Sequence, residues 1–347
     1  MNDYSVLKIF WFPDKIKALI DGIITAPIYI RIKPTNKCCH KCSFCIYNSN
    51  FSSIHKQIKK TDEIPIEKMR ELLFDIKRIG TKAVTYSGGG EPLMHKNILE
   101  ILKITNNLSL DLSVLTNGQF LRGAIAEELL KAKWIRVSMD YFSGESFSLN
   151  RGTQRMFTNL VDNIKNFTNS NREGKIGVNF IITQENHKNL RQAIEFLLGL
   201  KIDNVRFTPV ECQNFNNYHK VIKSIVLSEL SYIKNKFSND IEIYDGYSNN
   251  NWHSRGSRQY KKCLFMQIVP VIGADCNIYS CHNKAYSKEG LIGSIKNEKF
   301  SNLWFSKQTK DFFNSFQANI ICQNTCTNDN KNLILHEFLN CKNNNFI

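Results

Sequence analysis

The sequence predicts an α/β protein built on a parallel sheet, with a small cysteine-rich extension at its C-terminal end. Three observations carry this. Short apolar runs alternate with amphipathic helical patterns between residues 28 and 240. Beyond 240 the rhythm breaks, in a segment rich in Asn and Lys. Cysteines then return, at 263, 276, 281, 322, 326 and 341. Strands that alternate regularly with helices pair in parallel, because a right-handed crossover returns the chain to the same end of the sheet.

In chain order, residues 1–27 form an N-terminal extension. It has acidic interruptions and no small-residue cleavage site, so it does not read as a signal peptide. Predicted strands cover 29–32, 82–86, 111–115, 134–139, 176–182 and 204–208. Helical patterns cover 65–79, 97–105, 125–133, 157–168 and 190–200. After 240 a hairpin joins strands at 267–272 and 277–280, and a helical stretch covers 300–316. The division read from this is 1–27, a core over 28–240 and a cysteine-rich region over 241–347.

Composition narrows the class. A chain of 347 residues can bury a large core and suits one big domain plus an appendage. Its 42% hydrophobic and 22% charged residues are those of a soluble globular protein. No apolar run is long enough to cross a bilayer. The expected compartment is the cytosol, where 11 cysteines stay reduced and serve as metal ligands rather than disulfides. Net charge is +15, yet lysine is scattered, with no compact basic block and no basic stretch interleaved with aromatics. That pattern argues against a nucleic-acid partner.

The chemistry concentrates in one loop. Cys38, Cys42 and Cys45 form a C-x3-C-x2-C array just after the first strand. This spacing lets three thiolates hold three corners of an iron–sulfur cube and leaves the fourth iron open to a small molecule. Zinc would want a fourth ligand, for which His40 and His55 are weak candidates. The second strand ends in Ser87-Gly-Gly-Gly-Glu-Pro92, where glycines permit close approach and positive φ beside the carboxylate of Glu91. Strand four ends in Ser138-Met-Asp140, followed by Asn150-Arg-Gly152; Asn117 and Thr183 also stand at strand ends. Each of these can equally close a turn or cap a helix.

The stretch Pro34-Thr-Asn-Lys-Cys-Cys-His-Lys-Cys-Ser-Phe-Cys45 resembles the signature loop of radical S-adenosylmethionine (SAM) enzymes. The resemblance implies a partial (β/α)6 TIM-like barrel with its site at the C-terminal ends of the strands. It implies that Cys38, Cys42 and Cys45 hold a [4Fe–4S] cluster whose fourth iron is chelated by SAM, with Phe44 flanking the adenine. By match to the family's Gly-Gly-Glu motif, Gly89, Gly90 and Glu91 bind the SAM amino group. Ser138 and Asp140 grip the ribose, and Arg151 pairs with the SAM carboxylate through its planar fork. One departure is visible: many relatives carry Asn after the first cysteine, and this chain has Cys39.

The later cysteines resemble the SPASM and twitch extensions of the same enzymes, in a reduced, single-cluster form. Cys263, Cys281, Cys322 and Cys326 are the expected ligands of an auxiliary [4Fe–4S] cluster, with Cys341 as a substitute. Cys276 stands where the extension's usual glycine falls. A structural zinc site is the rival, because four thiolates suit zinc equally well.

The resemblance further implies an electron from a flavodoxin or ferredoxin, cleavage of SAM to a 5′-deoxyadenosyl radical, and removal of hydrogen from an unactivated substrate carbon. The expected outcome is oxidation, by dehydrogenation or crosslinking, assisted by the auxiliary cluster, with Glu211 as base. The alternative is epimerisation, with the thiol of Cys212 or Cys276 returning a hydrogen atom. The plainer reading of Cys212 is a small buried hydrophobe. The expected substrate is a small polar molecule such as a sugar or aminocyclitol, with a peptide as the alternative. A zinc protein that binds nucleic acid would explain charge and cysteines, but not Gly-Gly-Gly-Glu at a strand end.

Overall fold

A computed structural model describes residues 5–47, 58–248, 258–323 and 326–341. His55 lies outside the described residues. The strands are β1 (Tyr29–Ile32), β2 (Ala83–Tyr86), β3 (Asp111–Thr116), β4 (Trp134–Ser138) and β5 (Lys175–Ile182), then β6 (Asn204–Pro209) and β7 (Glu242–Asp245), then β8 (Val271–Ile272), β9 (Asn277–Tyr279) and β10 (Leu291–Ser294). They form one sheet in the order β10-β9-β8-β1-β2-β3-β4-β5-β6-β7. Neighbours from β1 to β7 are parallel, and β8 pairs parallel to β1 on the other side. Helices Ile66–Arg78, Ile98–Asn107, Gly123–Leu129, Gln154–Thr168 and Leu190–Leu198 fill the crossovers. The result is a partial TIM-type barrel.

The two faces of the sheet differ, because side chains alternate along each strand. Ile30, Ile32, Val84, Val114, Val137, Val178 and Phe207 point to the helices and join one apolar core. The alternate positions on the concave face are mixed, with polar residues such as Thr85, Ser113, Asn179 and Thr208 among apolar ones. Thr85 and Ser113 share a hydroxyl hydrogen bond of 2.8 Å there, in register with each other.

Three differences from the sequence reading have local causes. The parallel sheet continues past 240 with β7, a four-residue edge strand whose acidic ends hide its apolar content. The expected strand at 267–272 shrinks to β8, because Leu264–Gln267 winds as a 3-10 turn and Pro270 lacks an N–H. The helical stretch at 300–316 splits into Phe300–Trp304 and Lys307–Ser315, since the Ser306 side chain caps the second piece by accepting from the Thr309 N–H at 3.3 Å.

The C-terminal region packs directly on the barrel. Buried Asp75, in the helix after β1, accepts from the Ser301 N–H at 2.7 Å and the Ser301 hydroxyl at 2.9 Å. Trp304 is fully buried and donates through Nε1 to the Thr25 carbonyl at 2.9 Å. Among the described residues, no helix is long and apolar enough to cross a membrane.

Candidate active site

The loop after β1 carries Cys38, Cys42 and Cys45 at the C-terminal end of the sheet, the end to which β1 delivers the chain. Backbone bonds hold it there. Gly90 donates its N–H to the Thr35 carbonyl at 3.2 Å, and Glu91 to the Lys37 carbonyl at 2.8 Å. On the other side, Lys41 donates to the Arg151 carbonyl at 3.2 Å. The glycines of the Ser-Gly-Gly-Gly-Glu turn are required by this approach. A Cβ on Gly90 would lie 2.0 Å from the Lys37 carbonyl oxygen, and one on Gly89 would lie 1.9 Å from Asn36 Oδ1. The expected positive φ is absent at Gly89 and Gly90; only space demands glycine.

The thiols of the loop act on one another. Cys42 is pushed up to about 11 by burial, with Cys45 and Cys38 adding to the effect and Arg151 opposing it. Cys38 is pushed upward chiefly by its hydrogen bond with Cys39, then by burial, and the same bond pulls Cys39 down. Two polar side chains approach the sulfurs. Asn117 Nδ2 lies 3.4 Å from Cys39 Sγ and 3.9 Å from Cys38 Sγ, and Arg151 Nη1 lies 3.5 Å from Cys42 Sγ. Cys39, the departure from the family pattern, therefore sits within the site.

Glu91 is buried and turned toward β3. Its carboxylate accepts from the Thr116 hydroxyl at 2.6 Å, the Asn117 N–H at 2.6 Å and the Leu93 N–H at 3.0 Å. Burial nevertheless raises it to about 7, against these three donors. Asp140 and Arg151 hold each other. The Arg151 Nε donates to Asp140 Oδ2 at 2.7 Å, its Nη2 donates to the same oxygen, and the Ile181 N–H donates to Oδ1 at 2.7 Å. Burial pushes the Asp140 carboxyl up, and the guanidinium opposes it. The Arg151 guanidinium also lies 5.2 Å from the centroid of the buried Phe44 ring.

The structure thus brings Cys38, Cys42, Cys45, Phe44, Gly89, Gly90, Glu91, Asp140 and Arg151 to one end of the sheet. Ser138 closes β4 at the same end, in register with Asn179 of β5. Thr183 follows β5, its N–H donating to Asn186 Oδ1 at 2.8 Å. Glu211 and Cys212 follow β6, with β2 to β5 between them and β1. Cys212 lies near Tyr218, whose hydroxyl accepts from the Gln184 N–H at 2.9 Å.

A second group of thiols comes from three separate places: Cys263 before the hairpin, Cys281 after β9, and Cys322 and Cys326 near the C-terminus. Burial raises all four, and each feels its neighbours: Cys263 feels Cys281, Cys326 and Cys322, Cys281 feels Cys322, and Cys326 feels Cys281. Cys276 instead sits buried in the hairpin turn at φ 61°. It lines a cavity of about 250 Å³ with Asp62, Glu63, Lys68, Asp275 and Lys296. Cys341 is exposed. Among the described residues, no three His, Cys, Asp or Glu side chains converge as a single metal ion requires. The donor sets, soft thiols in groups of three and four, have the chemistry that iron–sulfur clusters take.

Sequence reasoning missed Lys33. Its side chain is wholly buried at the end of β1, donating to Tyr47 Oη and, at 3.2 Å, to the Gly88 carbonyl. The ammonium lies 4.4 Å from the Tyr47 ring centroid and 5.2 Å from that of Tyr286. Burial lowers its pKa well below that of a free lysine, with Arg31 adding to the effect, while Cys45, Asp275 and Cys281 oppose it. One buried lysine is therefore coupled electrostatically to a thiol of each group. Its signal was a lysine placed two residues after Arg31, on the same side of an otherwise apolar strand.

Residues 32–197 match the family model described as the Radical SAM superfamily, whose members use a [4Fe–4S] cluster and SAM. Over 226 residues the chain is 24% identical to an S-adenosylmethionine-dependent nucleotide dehydratase of Lacinutrix mariniflava, covering 58% of this chain and 46% of that protein. Over 217 residues it is 27% identical to a probable GTP 3′,8-cyclase of Methanocella arvoryzae, covering 60% of this chain and 65% of that one. The chain thus spans about half to two thirds of these relatives' length. Among solved structures, Streptococcus suis SuiB bound to the precursor peptide SuiA superposes with TM-score 0.64 at 17% identity, over 88% of this chain and 70% of SuiB. Native anSMEcpe with bound AdoMet superposes with TM-score 0.62 at 17% identity, over 83% of each chain. These likenesses agree on the partial barrel.

Proposed function

We propose that this chain, whose residues 32–197 match the Radical SAM superfamily model, is an enzyme that uses SAM to take a hydrogen atom from a substrate carbon and then oxidises the substrate. When bound, the [4Fe–4S] cluster and SAM supply the reducing electron and the 5′-deoxyadenosyl radical. Cys38, Cys42 and Cys45 would hold the cluster. Asn117 and Arg151 approach sulfurs of that loop and lower the negative charge they present. Gly89 and Gly90 let the turn carrying Glu91 press against the cysteine loop. Asp140 fixes the orientation of Arg151, and Ser138 and Phe44 flank the same end of the sheet.

The observation that carries this reading is the meeting of the three-cysteine loop, the glycine turn and the Asp140–Arg151 pair at the ends of parallel strands. The second group, Cys263, Cys281, Cys322 and Cys326, would supply the electron acceptor that oxidation of a substrate radical requires. A flavodoxin or ferredoxin is the proposed electron donor, and the substrate is a small molecule or a peptide. The test is anaerobic preparation followed by iron, sulfide and zinc analysis and assay of 5′-deoxyadenosine. Roughly eight irons per chain are expected for two cubane clusters. Cys45→Ala should abolish cofactor cleavage; a variant that cleaves SAM at the wild-type rate would end the reading.

A further inference from the structure

Three parts of the molecule meet at Lys33. It follows β1 directly and is wholly buried. Its ammonium donates to Tyr47 Oη, two residues past Cys45, and at 3.2 Å to the carbonyl of Gly88 in the glycine turn. It also lies 4.4 Å from the Tyr47 ring centroid and 5.2 Å from that of Tyr286, five residues past Cys281. One side chain therefore touches the cysteine loop, the glycine turn and the C-terminal region.

The surroundings are apolar and tightly specified. Tyr47 packs against a small buried cluster of Val271, Tyr279, Ala285 and Tyr286. Its ring meets that of Tyr286 edge-on, with the centroids 6.4 Å apart. Tyr286 stands at φ 58°, a conformation that bulky side chains seldom adopt. Two hydrogen bonds hold it there: its hydroxyl donates to Asn36 Oδ1 at 2.6 Å and accepts from the Ala274 N–H at 3.1 Å. Asn36 stands two residues before Cys38, so the C-terminal region grips the cysteine loop at its base.

A buried ammonium is costly unless something negative faces it. Among the described residues, the hydrogen bonds of Lys33 go to neutral oxygens only. Asp275 acts on it, but that carboxylate accepts from the Asn277 N–H at 3.2 Å and the Tyr279 hydroxyl at 2.6 Å. The other groups that favour its charge are the thiols of Cys45 and Cys281.

We propose that Lys33 is a positioning residue, which holds the cysteine loop against the glycine turn and the C-terminal region and, by its positive charge, eases reduction of the cluster the loop would hold. This rests on the function proposed above. Reduction adds one electron, drawn from the proposed flavodoxin or ferredoxin; no bond breaks, and Lys33 keeps its proton. A fixed positive charge beside a group that gains negative charge stabilises the product, and in an apolar, buried setting salt screens it little.

The test is a redox titration of the iron-loaded protein followed by electron paramagnetic resonance, with and without SAM, so that the signal SAM alters marks the first cluster. Lys33→Gln keeps N–H donors and loses the charge, whereas Lys33→Arg keeps the charge. Lys33→Gln should disfavour reduction about ten-fold, a fall of about 59 mV for one electron, and Lys33→Arg should restore most of the wild-type potential. A merely structural role would change iron content or stability and leave the potential of the assembled cluster where it was. A wild-type potential in Lys33→Gln would overturn the proposal, as would a potential in Lys33→Arg as low as that of Lys33→Gln. Should Lys33→Gln take up no iron, Lys33→Arg decides: near-normal loading supports the role of the charge, and no loading overturns it. Iron content and 5′-deoxyadenosine formation in the same preparations keep the two readings apart: intact cofactor cleavage with an unmoved potential sinks only this inference.

Discussion

The two thiol groups are built on opposite plans. Cys38, Cys42 and Cys45 lie within eight residues of one loop, and one of them, Cys38, is exposed. Cys263, Cys281, Cys322 and Cys326 come from places up to 63 residues apart, and each is half-buried or deeper among helices and the hairpin. A loop that carries its own ligands can open one face to a small molecule. A site closed by three distant segments can do so only by loosening the fold around it. The difference suits the first group to binding and the second to storing charge.

The largest test of this contrast is a pair of alanine substitutions. Cys42→Ala should abolish 5′-deoxyadenosine formation. Cys281→Ala should remove roughly four irons and stop product formation, while slowing cofactor cleavage far less. Iron analysis and product assay on the two variants read the outcome, and equal loss of cofactor cleavage would erase the distinction.

A smaller effect sharpens it. The Asp140–Arg151 pair orders the ground beside the first group, with both side chains buried. Arg151→Met leaves a buried carboxylate uncompensated and should cost about 3–5 kcal/mol in urea denaturation. A loss within experimental error would mean that the pair is dispensable to the fold.

The smallest effect is in pH. Glu91 has a folded-state pKa of about 7 against an ordinary 4.5, so the native state binds its proton more tightly than the unfolded chain does. Its contribution to stability is fully present below 4.5 and is lost as pH rises through 7. Glu91→Gln should flatten that part of the stability–pH curve, which denaturation at several pH values would reveal.

Much of this was legible beforehand. The six expected strands and their helices appear within a few residues of their places, because alternating apolar runs report burial directly. The cysteine loop and the glycine turn were legible because both are contiguous. The link between Asp140 and Arg151 was not, since sequence matching assigned each a separate partner and only the approach of the two chain segments joins them. β7 escaped notice, and β8 is shorter than the strand expected at 267–272, because short strands draw their pairing from neighbours rather than from their own residues.

The sequence alone determined the strand–helix rhythm, the three-thiol loop and the family resemblance, since each is written in neighbouring residues. Tertiary structure decided that Cys263, Cys281, Cys322 and Cys326 come near enough to act on one another, and that Lys33 lies buried and acts on both groups. Strand alternation sets the side to which a residue points. Only the curvature of the sheet and the packing of the C-terminal region on it bring distant residues together, and both are properties of the whole assembly.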